Sequence, residues 1–479
     1  MGNDPRQRNA TKLSAYNIFS LPLNQKGQRI LLNTRSGKEL LVTAMCYEAI
    51  MQNMLHVLPQ PIFQKLRDAG VIIDEHISEL EQIVAENVAD IASNDTLYEV
   101  IMPSANCQLG CYYCGQKHDK HSLSAAVMTA ILDRIHTKLS SGKYKSLFIS
   151  WFGGEPLMAL QQIRTMTFFL KTLAEKHQVP YASKMVSNGL SLKANIFREL
   201  ATELSVKNVE VTLDGLAEHH DAHRYTKEGY NSFDLIMKNL VDITSMPDFK
   251  ALGCTISLRS NIDQKNFDGF VPLLKTLREY GFQDKVTQVY PIRVYAWGND
   301  AHTNSASKEA HAQEELQWFS EIFQHDFMIN LVPKRRKTVC LTVNKDSDVY
   351  DAYGNIHNCT ETPYVPVYEG SDYSIGNVLN PDTLAPKNKI THWNDTVLEK
   401  KYWCATCKML PVCGGACPKS WEEGMPACPS FKFNMPERLL MKYVMDYRDI
   451  FTADTRQELQ SFHSDKPWLA ALLSPVHPS

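Results

Sequence analysis

At 479 residues, 44% hydrophobic and 22% charged, the chain has material for two or three domains with sizeable cores. A formal net charge of -3 gives no global electrostatic reason to bind nucleic acid or a membrane surface, and no stretch reaches transmembrane length. The polar start, Met1 to Ser14, has no apolar signal core, so a cytoplasmic location is expected. There the twelve cysteines read as metal ligands or core thiols rather than a disulfide framework.

Three zones follow in chain order. Residues 1–93 read as a small α+β unit: apolar alternation around Ile30-Leu31-Leu32, a turn at Ser36-Gly37, a short strand over Glu39 to Val42, then two helical patterns up to Ser93. An exposed strand edge in such a unit would take up a peptide by strand addition. Residues 94–335 alternate short apolar runs with amphipathic helical stretches, as in Leu147 to Phe152 before Met158 to Lys176, Val209 to Leu213 before Phe233 to Ile243, and Cys254 to Leu258 before Phe267 to Tyr280. This alternation predicts an α/β fold, a partial barrel of six βα units with ligands at the carboxyl ends of its strands. The basic run Lys334-Arg335-Arg336-Lys337 is expected to be a solvated loop. Residues 336–479 form the cysteine-rich third zone, with a closing helix over Pro436 to Phe451 and a tail containing Pro467, Pro475 and Pro478 that is expected to be mobile.

The chemistry begins at Cys107-x3-Cys111-x2-Cys114, just after the strand-like segment Tyr98 to Met102. Three thiolates on a four-iron, four-sulfur cluster leave one iron without a protein ligand, open to chemistry. A zinc ion would need a fourth ligand, for which His118 is the only residue within reach. Gly153-Gly154-Glu155-Pro156 follows the next apolar run, and paired glycines let backbone approach a ligand unobstructed. Ser187-Asn188-Gly189, Val211-Thr212-Leu213-Asp214-Gly215, His220-Asp221, Arg224 and Leu258-Arg259-Ser260-Asn261-Ile262-Asp263 come next.

Taken in this order, the motifs resemble the radical S-adenosylmethionine (SAM) superfamily. The resemblance implies a cluster on Cys107, Cys111 and Cys114 that binds SAM and yields a 5′-deoxyadenosyl radical for hydrogen abstraction. It implies that backbone around Gly153, Gly154 and Glu155 holds the SAM amino group, Asn188 and Thr212 the ribose, and Arg224 or Arg259 the carboxylate, for which a planar guanidinium is suited. Residues 1–93 loosely resemble the winged-helix-like unit that grips a leader sequence in enzymes modifying ribosomal peptides. A plain packing domain is the other reading.

Seven of the twelve cysteines lie from Cys340 onward. Thirteen residues separate Cys340 from Gly354 and four separate Gly354 from Cys359; Cys404-x2-Cys407-x5-Cys413-x3-Cys417 and Cys428 follow. Paired cysteines at such spacings also suit zinc ribbons, but seven is an awkward number for tetrahedral sites. The intervals resemble the SPASM domain of peptide and protein maturases, which carries two auxiliary clusters, so three 4Fe-4S clusters are expected in all. By that resemblance Cys404, Cys407, Cys413 and Cys428 hold the distal cluster, and Cys340, Cys359 and Cys417 the proximal one. The proximal cluster is one ligand short, a place for Asp346 or a substrate thiolate. Cys46 and Cys254 fall outside both patterns and are expected to be buried free thiols.

Auxiliary clusters imply that the substrate radical is oxidised. A ribosomally made peptide that becomes crosslinked is the first expectation, with flavodoxin or ferredoxin as electron donor. Formylglycine formation on a sulfatase is the rival; there an Asp directly follows the second SPASM cysteine, whereas Thr360 and Glu361 follow Cys359 here, with Glu361 a candidate base. Epimerisation, carbohydrate modification and, in another class, a non-enzymatic electron carrier or sensor stay open. Arg293, Tyr295 and Trp297 are weaker candidates for the substrate pocket, and His219-His220 for a local cap or an imidazole near SAM.

Overall fold

A computed structural model describes residues 10–474. The N-terminal unit contains strands β1 (Thr11–Leu13), β2 (Asn17–Phe19), β3 (Arg29–Asn33), β4 (Lys38–Val42) and β5 (Ile72–Asp74). β2, β3 and β4 form an antiparallel sheet, while β1 pairs with β5. Leu31, Val42, Cys46, Ile50, Phe63 and Leu66 give this unit a core of its own. Cys46 is buried within it as expected.

Six parallel strands follow: β6 (Thr96–Ile101), β7 (Ser146–Trp151), β8 (Tyr181–Ser187), β9 (Val206–Thr212), β10 (Thr255–Ile262) and β11 (Val286–Arg293), each beside its predecessor. Their β-branched inner residues, such as Val209 and Val211, are fully buried, as a parallel sheet covered by helices requires. The helix Ala125–Leu139 shows how the covering arises. Ser124 Oγ accepts from the Val127 amide, and Val127, Ile131, Ile135 and Leu139 recur every four residues on its buried face.

The sheet does not end with the barrel. β12 (Val349–Tyr350) pairs in parallel with the free side of β6, and β13 (Asn355–His357) and β14 (Ser374–Asn377) continue antiparallel, making nine strands. Gly354 makes the turn between β12 and β13 at φ +87°, where a Cβ would also meet Val378 at 3.0 Å. The glycine in the cysteine spacing pattern is therefore a hairpin requirement.

Three expectations need correction. The run 334–337 is not simply solvated: Arg335 donates to Asn87 at 2.9 Å and to the Pro411 carbonyl at 2.9 Å, tying the helix Glu79–Ser93 to the cysteine-rich region. The closing helix begins at Phe431, runs to Tyr447, and breaks at Asn434, whose amide donates to the Ala312 carbonyl at 2.7 Å. The tail carries the helices Ala453–Phe462 and Pro467–Leu473. Pro467 starts the second one, and Trp468, Leu469, Leu472 and Leu473 are buried against the helix Lys308–Gln324. Pro475 and Pro478 lie outside the described residues. Among the described residues no helix is long and apolar enough to cross a membrane.

Candidate active site at the carboxyl ends of the barrel strands

The loops after the six barrel strands converge on one cavity of about 300 Å³. Cys107, Cys111 and Cys114 line it from the loop after β6, Gly153 and Gly154 from the end of β7, Asn188 from the end of β8, Thr212 from β9 and Arg224 from the end of the helix Ala217–His223 after it, Arg259 and Asn261 from β10, and Tyr295 and Trp297 after β11. Glu361 and Val365 close it from the cysteine-rich region. Each βα unit thus supplies one wall, the placement that parallel βα folds favour.

The backbone explains the glycine pair. Gly153 has φ +87°, and a Cβ on Gly154 would stand 2.5 Å from the Asn106 carbonyl. The next residue, Glu155, does not line the cavity. Fully buried, its carboxylate accepts from the amides of Leu157 at 3.0 Å and Asn188 at 2.7 Å and from Ser187 Oγ at 2.9 Å, clamping the ends of β7 and β8 together. Asn188 Nδ2 donates to Gln108 at 3.2 Å and lies 3.7 Å from Cys107 Sγ.

A buried network missed in the sequence lies behind the cysteines. Tyr113 donates to Asp214 Oδ2 at 2.6 Å; its phenol oxygen accepts from Arg224 Nη1 at 2.6 Å and Asn261 Nδ2 at 3.0 Å, and the Asn261 amide donates to Asp214 Oδ1 at 2.8 Å. Burial holds the Tyr113 phenol well above its usual range, which keeps it a neutral donor. These three residues sit inside the motifs, yet nothing in the spacing links positions 113, 214 and 261. Arg224 Nε is buried without a hydrogen-bond partner among the described residues. An orphaned guanidinium donor on a cavity wall, next to a glycine-lined cradle, suits an anionic ligand group.

His118 Nε2 is 4.0 Å from Cys114 Sγ. Among the described residues no three His, Cys, Asp or Glu side chains are grouped to hold a single metal ion. A cubane of four irons needs its thiolates farther apart than one zinc ion does. Burial pushes the Cys107 and Cys111 thiols up to about 11, so iron binding there would release protons.

Several known proteins are similar to this chain. A family of 4Fe-4S single cluster domains matches residues 99–232. The serine-type anaerobic sulfatase-maturating enzyme of Bacteroides thetaiotaomicron is 27% identical over 363 residues, 68% of this chain and 83% of that one. The cysteine-type enzyme of Clostridium novyi is 21% identical over 357 residues, 69% and 91% of the two chains. The chain resembles radical SAM maturases with a SPASM-type cysteine region. The match to a 4Fe-4S domain and the likeness to these maturases suit SAM and 4Fe-4S iron-sulfur as the cofactors of this site. A solved sulfatase-maturating enzyme, anSMEcpe with bound AdoMet, shares the fold at TM-score 0.55 and 16% identity, over 77% of this chain and 99% of that one. A further match, an uncharacterised protein of Synechocystis, is 27% identical over 171 residues, and this chain spans 41% of its length.

Beyond the first cavity the seven cysteines from Cys340 onward fall into two groups. Cys404, Cys407, Cys413 and Cys428 line a second, smaller cavity with Trp403 and Trp421. Cys359 lies near the thiols of Cys417 and Cys340, and burial raises it well above the usual thiol range. Asp346 is directed elsewhere: Lys143 Nζ donates to it at 2.7 Å and Tyr144 also bonds it, so its carboxylate is held in a surface ion pair. Arg293 does not line the cavity; its Nε donates to the Ala306 carbonyl at 2.9 Å and holds the loop after β11. His220 is a buried strut between the Asp214 amide at 3.2 Å and Ser232 Oγ at 3.0 Å, while Asp221 caps the start of the helix Phe233–Thr244. Cys254 is a buried thiol that desolvation pushes up to about 12.

Proposed function

We propose that this enzyme oxidises a residue of a ribosomally made peptide by loss of two hydrogens, forming a crosslink. In this reading it carries three clusters: the SAM-binding one on Cys107, Cys111 and Cys114, a distal one on Cys404, Cys407, Cys413 and Cys428, and a proximal one on Cys340, Cys359 and Cys417. The observation that carries the reading is the meeting of two regions in one cavity, SAM-motif residues on one side and Glu361, two residues after Cys359, on the other. When bound, the cluster and SAM supply a 5′-deoxyadenosyl radical there. Backbone at Gly153 and Gly154 orients the amino group, Asn188 and Thr212 the ribose, and the free Nε of Arg224 the carboxylate, with Arg259 the alternative. Glu361 takes the proton that the oxidised substrate releases.

Two outcomes follow. Arg224→Lys removes the planar fork shared between Tyr113 and the carboxylate, so SAM affinity of the cluster-loaded enzyme falls about 10–100-fold in equilibrium dialysis. Glu361→Gln still releases 5′-deoxyadenosine, while modified product falls at least about 100-fold, the usual contribution of a positioned base.

Solved relatives support a peptide substrate: anSMEcpe has been captured with bound AdoMet and peptides, at TM-score 0.53. The N-terminal unit is our candidate for the leader grip, because β4 is the outer strand of its sheet and Leu41 on it is 54% exposed. The second reading, formylglycine formation on a sulfatase, is favoured by the two relatives matched over two thirds of the chain. Anaerobic incubation with a sulfatase-derived peptide separates the two: an aldehyde at its Ser or Cys supports the second reading, and no change with that peptide the first. A cytoplasmic site and a flavodoxin or ferredoxin donor complete the proposal.

A further inference from the structure

Lys419 follows Cys417 by two residues and is one of the largest fully buried side chains, 1% exposed. A buried ammonium needs partners. Its Nζ donates to Tyr368 at 2.5 Å and to Glu423 at 2.9 Å, and Glu423 accepts in turn from the hydroxyls of Tyr368 and Tyr373. The same Nζ stands 4.1 Å from the ring centre of Tyr368 and 4.4 Å from that of Trp297. Tyr368 belongs to the cysteine-rich region, but Trp297 belongs to the barrel loop after β11.

Trp297 is held from three directions. Its ring lines the active-site cavity and stacks on Tyr295 at 6.0 Å with the planes 19° apart. Its carbonyl lies against Gly115 in the loop of Cys107, Cys111 and Cys114, where a Cβ would be 1.8 Å away. Lys419 supplies the third contact. Ile292, Val294, Tyr295, Trp297 and Val365 contribute apolar lining to the cavity, alongside the SAM-motif residues.

We infer that Lys419 is a positioning residue: its ammonium fixes Trp297 as a wall of the substrate cavity, so the cysteine-rich region sets the shape of a pocket built mostly by the barrel. The inference rests on the reading that this cavity receives SAM and substrate. Cation–π attraction at a desolvated site is strong enough to hold an aromatic ring in one place. The methylene stem of Lys419→Met keeps the packing and removes the charge, whereas Lys419→Arg keeps it.

Hydrogen exchange read by mass spectrometry on the anaerobic, cluster-loaded enzyme tests this. In Lys419→Met, amides of 294–299 and 114–118 exchange about tenfold faster, and Lys419→Arg returns them toward the wild-type rate. Faster exchange confined to 366–373 and 418–424, with 294–299 protected as in wild type, overturns the inference. If Lys419→Met loses iron, Tyr368→Phe, which removes one partner of the ammonium and keeps both rings, shows the same pattern at smaller amplitude; unchanged 294–299 in that variant is equally decisive. Release of 5′-deoxyadenosine by the wild-type enzyme is scored separately. Its absence would count against the cavity reading and leave the positioning of Trp297 standing.

Discussion

Replacing Cys107, Cys111 and Cys114 together by alanine abolishes 5′-deoxyadenosine release and removes about four irons per chain, while the remaining iron stays bound. The expectation rests on how the loop is held. Its thiols open into the cavity, but its fold depends on other groups: the Gly110 amide donates to the Tyr225 carbonyl at 2.9 Å, the Lys117 amide to the Tyr364 carbonyl at 2.7 Å, and Tyr113 to Asp214. Loss of the thiols therefore leaves the chain folded, with seven other cysteines of the third zone intact. Iron analysis and chromatography of the SAM products measure the two effects. An alanine variant that still releases 5′-deoxyadenosine would remove these cysteines from the chemistry.

The second large effect is on stability. Lys138 Nζ bonds Glu99 at 2.5 Å and Asp348 at 2.6 Å, joining the helix Ala125–Leu139 and β6 to the residues just before β12. Both carboxylates are buried, 0% and 1% exposed at the side chain. Lys138→Met strands Glu99, while Asp348 keeps Arg134 and Lys387, and destabilises the enzyme by about 3–5 kcal/mol in chemical denaturation, because an unpaired buried charge costs more than the pair contributes. Glu99→Gln added to Lys138→Met recovers part of the loss.

The two acids move in opposite directions although they share one lysine. Burial lifts Glu99 from 4.5 to about 7, whereas Asp348, also desolvated, is pulled below the usual carboxylate range by Lys138, Lys387 and Arg134. Three cations against one decide that the proton goes to Glu99 first. A raised carboxyl means that the folded state holds a proton the unfolded chain has lost between about pH 4.5 and 7, so this group costs stability as pH rises through that window. Glu99→Gln flattens the fall in stability between pH 5 and 8. Asp348 acts oppositely, with stability present above its ordinary range and lost only in stronger acid.

Much of the site was legible because it is written in local patterns. Cys107, Cys111 and Cys114, the glycine pair, Asn188 and Thr212 come at or just after strand ends, and Arg224 at the end of the helix Ala217–His223 that follows β9; a parallel βα order brings these ends together. Positions coupled through the fold were not legible. Tyr113, Asp214 and Asn261 meet across 101 and 47 residues of chain, and Lys138 and Asp348 across 210. The tail misled for a different reason: Pro467 reads as a breaker in an open segment but serves as the first residue of a helix whose apolar face the barrel buries. Asp346 was a candidate ligand only through its place after Cys340, and nothing in the sequence names Lys143 and Tyr144 as its partners.

The most direct test of a peptide-oxidising radical enzyme is the mass and fragmentation pattern of any short peptide encoded beside this gene after anaerobic co-expression, with the triple cysteine-to-alanine variant as control. Loss of two hydrogens with the intact enzyme alone, localised to one linked pair of residues, is the predicted result. An unchanged mass with all clusters confirmed would contradict crosslinking of that peptide and leave the sulfatase-type reaction in its place.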